Sequence, residues 1–222
     1  MSTPATSLAE DHLIRLISPP RWRPYREHSS LVGGDPISAY IHNLDVSAAL
    51  LRLIAIGEIV LRNALDKQLH ESFGSNVHWA DSLDKILTPR ALNDIRLARR
   101  RARQAPGRLT PGQVTAQLNL GFWTYLLSKP YKDTLWIPAL RHAFPHLRPQ
   151  VRDVAYKQAR RMLELRNRVA HHEEVFTRRP EVEAVGVLEL LSWIDPAAAD
   201  WAAHVCQSDI PGLRLPESRW SA

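Results

Sequence analysis

Residues 38–73 read SAYIHNLDVSAALLRLIAIGEIVLRNALDKQLHESF. Ile41, Leu44, Ala48, Leu51, Ala55, Ile59 and Leu65 recur mostly every three or four positions, the period of a helix and not of a strand. Leu50, Leu53, Ile54, Ile56, Val60, Leu61 and Leu69 widen the apolar surface well past one narrow face. A helix of that kind is central and contacted from several sides. Gly33-Gly34-Asp35-Pro36 precedes it as a loop, with Asp35 or Ser38 as its cap, and Gly74 ends it.

The flanking sequence is punctuated by proline. Pro19-Pro20 and Pro24 end a short first helix that starts near Ser7. Thr88-Pro89 pairs an N-cap with a proline at the first helical position, predicting a helix to about Gln104. Thr110-Pro111-Gly112-Gln113 repeats the device with Gln113 placed for a capping box. The helix it opens carries Val114, Leu118, Phe122 and Trp123 and stops before Pro130. A short helix over Asp133–Phe144 tolerates Pro138 only as a kink or restart, Pro149 opens the next, and Asp195-Pro196 opens one near the C-terminus. No alternating strand pattern, internal repeat or low-complexity linker interrupts the series. The expectation is an all-α fold, one helical domain over residues 1–222, with its core at about 38–176 and peripheral segments at 1–37 and 177–222.

Composition narrows the setting. No run approaches the roughly 18 apolar residues of a membrane span, and residues 1–11 lack a signal-peptide pattern, so the expectation is a cytoplasmic protein. Cys206 is the single cysteine, which rules out an internal disulfide and a cysteine-rich zinc site and reads as a buried small hydrophobe. The net charge of +6 favours polyanionic partners only weakly, but its distribution is uneven. Arg96, Arg99, Arg100, Arg101 and Arg103 form one cluster, and Arg160, Arg161, Arg166 and Arg168 a second. The first cluster either tracks an RNA backbone or is a solvated surface, since Arg99, Arg100 and Arg101 point in different directions on a helix. Phe122, Trp123 and Tyr125 read as core residues before base-stacking ones.

The second cluster leads to Arg166-Asn167-Arg168-Val169-Ala170-His171. Val151, Val154, Ala155, Met162, Leu165 and Val169 mark one apolar face of its helix, with Gln158 breaking the row and Glu164 placed to pair with Arg168. Arg166 lies about 40° from Met162 and about 60° from Val169 on the wheel, at the edge of that face. The side chains suit RNA cleavage without metal. A histidine can move the proton of a ribose 2′-hydroxyl near neutrality. An arginine gives the phosphate a permanent planar donor, and Asn167 can orient either group. The same residues also describe an ordinary helix end, where histidine complements the dipole. His171, His172 and Glu173 are adjacent and diverge, so no His-x-x-x-His metal pair is present.

Leu165-Arg-Asn-Arg-Val-Ala-His-His-Glu173 resembles the signature of the HEPN superfamily of ribonucleases, and more narrowly the chain resembles the Abi-like, abortive-infection phage-resistance proteins. Asn43-Leu-Asp-Val-Ser-Ala-Ala-Leu-Leu51 with Glu58-Ile-Val-Leu-Arg-Asn-Ala-Leu65 carries the likeness, as does Leu118-Asn-Leu-Gly-Phe-Trp-Thr-Tyr-Leu-Leu127 with Leu135-Trp136. Together the segments span about Ser38 to Phe176. The chain departs from the pattern in having Glu174 where family members often have proline.

The resemblance implies a HEPN-like helical bundle with extra N- and C-terminal helices, a homodimer, and an endoribonuclease needing no metal or cofactor. It implies a toxin or phage-defence effector that leaves a 2′,3′-cyclic phosphate, with a protein or RNA antitoxin as a further partner. Arg166 and His171 carry over as the catalytic pair and Asn167 as the polar residue between them. His172 and Glu173 are supporting residues, and Arg161, Arg168, Arg99 and Arg100 are expected to bind RNA. Glu58, inside an apolar run, either pairs with Arg62 four residues on or reaches the motif helix to position Arg166 or His171. The alternatives are a non-catalytic RNA-binding or antitoxin-like module and, less favoured, a metal-dependent hydrolase. Arg166 and His171 project about 140° apart on one straight helix. Either the helix ends or bends near Val169–Ala170 and swings His171 back, or a second chain brings its own motif alongside. Two motif helices are expected to face each other across a two-fold axis.

Overall fold

The computed structural model describes residues 4–74, 78–104, 109–206 and 209–210. Among them every regular element is helical: α1 (Pro4–Ile17), α2 (Pro19–Val32), α3 (Pro36–Phe73), α4 (Pro89–Ala102), α5 (Pro111–Gln117), α6 (Leu120–Leu126), α7 (Arg152–Ala170), α8 (Pro180–Ile194) and α9 (Pro196–Cys206). Short 3₁₀ and π turns join several of them. The fold is all-α, and no described helix is long and apolar enough to cross a membrane.

Local chemistry sets most of the starts. Asp35 accepts from the amides of Ile37 and Ser38 at 3.3 and 2.9 Å, ahead of Pro36. Thr88 caps α4, and Thr110 with Gln113 forms the expected capping box on α5. Each device satisfies amides that have no partner in the first turn. Other starts differ from the expectation. α1 ends at Ile17, just ahead of Pro19-Pro20 as expected, but the same prolines also open α2, where proline is tolerated in a first turn, and Pro24 lies inside that helix. Pro149 follows a cis peptide bond, and α7 begins only at Arg152. The helix from Pro111 breaks at Leu118, because the Asn119 side chain accepts from the Phe122 amide at 3.0 Å and starts α6. A π turn at Lys132–Trp136 and a 3₁₀ turn at Leu140–Ala143 replace the expected helix over Asp133–Phe144.

α3 runs through the centre against α2, α6, α7, α8 and α9. It buries Val46, Leu50, Leu53, Ile54, Gly57, Leu61, Leu65 and Leu69. The other apolar row is on the outside: Ile41, Leu44, Leu51 and Ile59 are each 44–52% exposed, and Ala48 and Ala55 are exposed with them. Both rows have a helical period, so periodicity could not choose between them. Packing chose the one that α7 and α8 cover. Gly57 permits that approach, since a Cβ there would stand 2.7 Å from Met162 Sδ and 3.1 Å from Val187 Cγ1.

Within residues 177–222, expected to be peripheral, α8 and α9 contribute to the core. Ala184, Val187, Leu188, Leu190 and Leu191 of α8 join Ala199, Ala202, Ala203 and Cys206 of α9 in the main apolar cluster. At the N-terminal end, Trp22 and Tyr25 are buried in an aromatic group with Tyr40 and Phe176.

Candidate active site

α7 carries the motif. Its buried face is Ala155, Gln158, Ala159, Met162, Leu165 and Val169, together with Arg152. Val151 and Val154, expected on that face, are 40% and 41% exposed, because the helix starts late and turns them outward. Gln158, which seemed to break the apolar row, belongs to the buried face and donates to the Gly186 carbonyl of α8. That contact needs a glycine, since a Cβ at 186 would sit 2.6 Å from Gln158 Nε2.

The end of α7 is a closed backbone arrangement. The His172 amide donates to the Val169 carbonyl at 3.1 Å and the Glu173 amide to the Arg168 carbonyl at 3.0 Å. His172 occupies the left-handed position, φ 55°, which this pair of bonds requires and which glycine usually fills. Arg21 of α2 donates through Nη1 to the carbonyls of His171 and His172, at 3.1 and 3.4 Å. Buried Asn43 of α3 accepts from the Val175 amide at 2.7 Å and holds the departing chain. Phe176 then stacks on Tyr25, whose phenol pKa is pushed up to about 12 by burial first and by Tyr40 next.

Arg166 is half-buried at the edge of the core face, and its Nη1 donates to Asn167 Oδ1 at 3.1 Å. Asn167 also borders a cleft of about 330 Å³ between α4, α6 and α7, beside Arg90, Tyr125 and Tyr156. His171 is exposed, and its ring makes no hydrogen bond among the described residues. It is the C-cap of α7, at φ −92° and ψ 7°, and its amide still donates to the Asn167 carbonyl at 2.9 Å. At the helical repeat, positions 166 and 171 of one chain project about 140° apart.

Other expected site residues fall elsewhere. Glu58 and Arg62 are half-buried, but among the described residues they form neither an ion pair with each other nor a hydrogen bond to α7. Glu164 pairs with Arg160 at 2.8 Å and not with Arg168. Arg168 is held by Glu173 at 3.0 Å and Glu174 at 3.8 Å, so both glutamates brace the helix end. Arg161 borders a cleft of about 370 Å³ between α7 and α8, opposite Glu183 and near Arg178. Arg99 is engaged by Asp81, and Arg100 shares a groove with it on α4, well away from the motif in the chain.

Two residues at the motif had no assigned role in the sequence reading. Arg21 lies 150 residues from the carbonyls it caps, and no local pattern announces such a contact. Asn43 carried a signal, a lone amide on the buried row of an apolar helix. Among the described residues no group of three or more His, Cys, Asp or Glu side chains is placed to hold a metal ion. No protein-family model, curated protein or solved structure matches the chain.

Proposed function

We propose that this protein is a metal-independent endoribonuclease of the HEPN type, working as a homodimer and serving as a toxin or phage-defence effector. The observation that carries the reading is the state of the motif pair. Among the described residues Arg166 has no carboxylate partner and meets the neutral Asn167 amide, and the His171 ring is exposed and unpartnered. The neighbouring arginines Arg168 and Arg160, by contrast, are paired with glutamates.

The chemistry is a transesterification. A base takes the proton of the ribose 2′-hydroxyl, the 2′-oxygen forms a bond to phosphorus, and the bond to the 5′-oxygen breaks. An acid returns a proton to that oxygen, leaving a 2′,3′-cyclic phosphate and a 5′-hydroxyl. His171 serves as the base or the acid. Arg166 binds the phosphoryl oxygens and stabilises the charge that grows on them.

Because one chain directs the two side chains apart, the site is composite. A two-fold contact brings a second motif alongside without any new residue. The exposed row of Ile41, Leu44, Leu51 and Ile59 on α3 is apolar surface of the kind that self-association buries. The test is to incubate the pure protein with total RNA in EDTA and map new ends. Ends carrying 2′,3′-cyclic phosphate that disappear with His171→Ala support the reading. RNA bound with no new ends supports the non-catalytic module, and activity lost in EDTA and restored by a metal supports a metal-dependent hydrolase.

A further inference from the structure

We propose that a groove along α4, lined by Arg96, Arg99, Arg100 and Arg103, binds the phosphate backbone of single-stranded RNA several nucleotides away from the bond that is cut; the word "cut" rests on the ribonuclease reading above, the binding does not. The four arginines sit at i, i+3, i+4 and i+7, which places them within an arc of about 100° on one helix face. Only Arg101 of the cluster points elsewhere. The opposite face, Ala91, Ile95, Ala98 and Ala102, is buried and fixes the helix. The row of guanidinium groups therefore stands on a rigid support, and with Asp81 and Asp84 it lines a groove of about 700 Å³.

The charge in that groove exceeds what the fold uses. Arg99 is neutralised by Asp81. Among the described residues Arg96 meets only the neutral Asn93 amide, at 3.1 Å. Arg100 and Arg103 have no ion pair among the described residues, and neither does Asp84. Cations in a last helical turn complement the dipole, but Arg96 lies well before that turn. A planar guanidinium matches two phosphate oxygens, and a row spanning about 10 Å reaches beyond one phosphate group. That length fits a polymer backbone and not a single small anion.

α4 also relates the groove to the candidate active site. Arg90, in its first turn, borders the same cleft as Asn167. Arg96 to Arg103 lie about 9–20 Å further along the helix axis. The groove is thus set off along α4 from the cleft that Asn167 borders, and it holds flanking RNA.

The experiment measures the affinity of a fluorescent 20-nucleotide RNA for the full chain carrying His171→Ala, across a salt series. In that background Arg96→Gln, Arg100→Gln and Arg103→Gln together are expected to lower affinity about tenfold or more at 0.1 M salt, and to reduce the slope of log K against log salt by about 2. Asp84→Asn, which removes a repelling charge, is expected to strengthen binding. Arg15→Gln, Arg23→Gln and Arg179→Gln, an equal loss of charge elsewhere, should have little effect. Unchanged affinity and slope in the groove triple would overturn the proposal. So would an equal loss in the control triple, or weaker binding with Asp84→Asn. With His171 restored, the groove triple should raise KM for long RNA and leave dinucleotide cleavage unchanged; an equal loss on both substrates also overturns it. If no cleavage is found at all but the binding differences hold, the ribonuclease reading fails and the groove stands.

Discussion

His172 is the position where the structure separates a backbone role from a chemical one. It follows His171 at the end of α7, is exposed, and adopts φ 55°. The left-handed conformation costs an L-residue roughly 1–2 kcal/mol. Histidine visits it more readily than most, so the lower end of that range applies. Replacing His172 by glycine removes this cost, while the extra freedom of glycine in the unfolded chain takes back about 0.5–1 kcal/mol. Little side-chain contact is lost, so His172→Gly should stabilise the protein by about 0–0.5 kcal/mol. In a chain of this length that raises Tm by at most about 2 °C. His172→Val, a β-branched residue in the same conformation, should lower Tm by several degrees. Thermal unfolding monitored by circular dichroism measures both, and RNA cleavage by the same preparations measures function. His172→Gly should cleave near the wild-type rate, in contrast to His171→Ala. A glycine variant that melts lower than wild type, or a valine variant that melts with it, would show that this left-handed turn does not set the helix end. A folded His172→Gly protein without activity would move His172 into the chemistry.

Three further outcomes follow from the same geometry. Asn43→Ala should cost about 1–3 kcal/mol in urea unfolding, because it leaves the buried Val175 amide without an acceptor; an unchanged midpoint would refute that contact. Arg21→Ala should lower stability by about 0.5 kcal/mol, the scale of a cation at a helix C-terminus, and should lower cleavage more than Arg23→Ala does, since only Arg21 holds the His171 carbonyl; equal effects of the two would remove Arg21 from the site. His78 is buried and its pKa is lowered, by burial first, so the unfolded chain binds its proton more readily than the folded one. Stability should therefore rise with pH through the window between that lowered value and about 6.5, and fall on acidification below about 6.5. A His78→Gln protein should lose less stability between pH 7.5 and 5 than wild type, and an identical loss would assign the acid sensitivity elsewhere.

The features legible in the sequence were those decided within a few residues. Asp35, Thr88 and the Thr110–Gln113 pair announced helix starts because a cap needs only its own side chain and amides two or three positions on. Asn119 is a cap of the same local kind, and it divides the single helix expected from Pro111 into α5 and α6. Pro19-Pro20 closes off α1 as expected and also opens α2, because the same residue can stop a helix or start one.

At the candidate site, the sequence determined which side chains lie at the end of α7 and how far apart they project, since both follow from the helical repeat. The same repeat puts Arg96, Arg99, Arg100 and Arg103 on one face at the end of α4, and the structure added the groove beside Asp81 and Asp84. Tertiary structure alone decided the rest. It chose the buried row of α3 over an equally periodic exposed one, because the choice depends on which partners arrive and where Gly57 lets them approach. It paired Arg168 with Glu173 and Glu174, left Glu58 without an ion pair or a hydrogen bond to α7 among the described residues, and brought Arg21 to carbonyls 150 positions distant. Such contacts depend on how separate helices meet in space, and a pattern that repeats every 3.6 residues along one helix carries no record of that meeting.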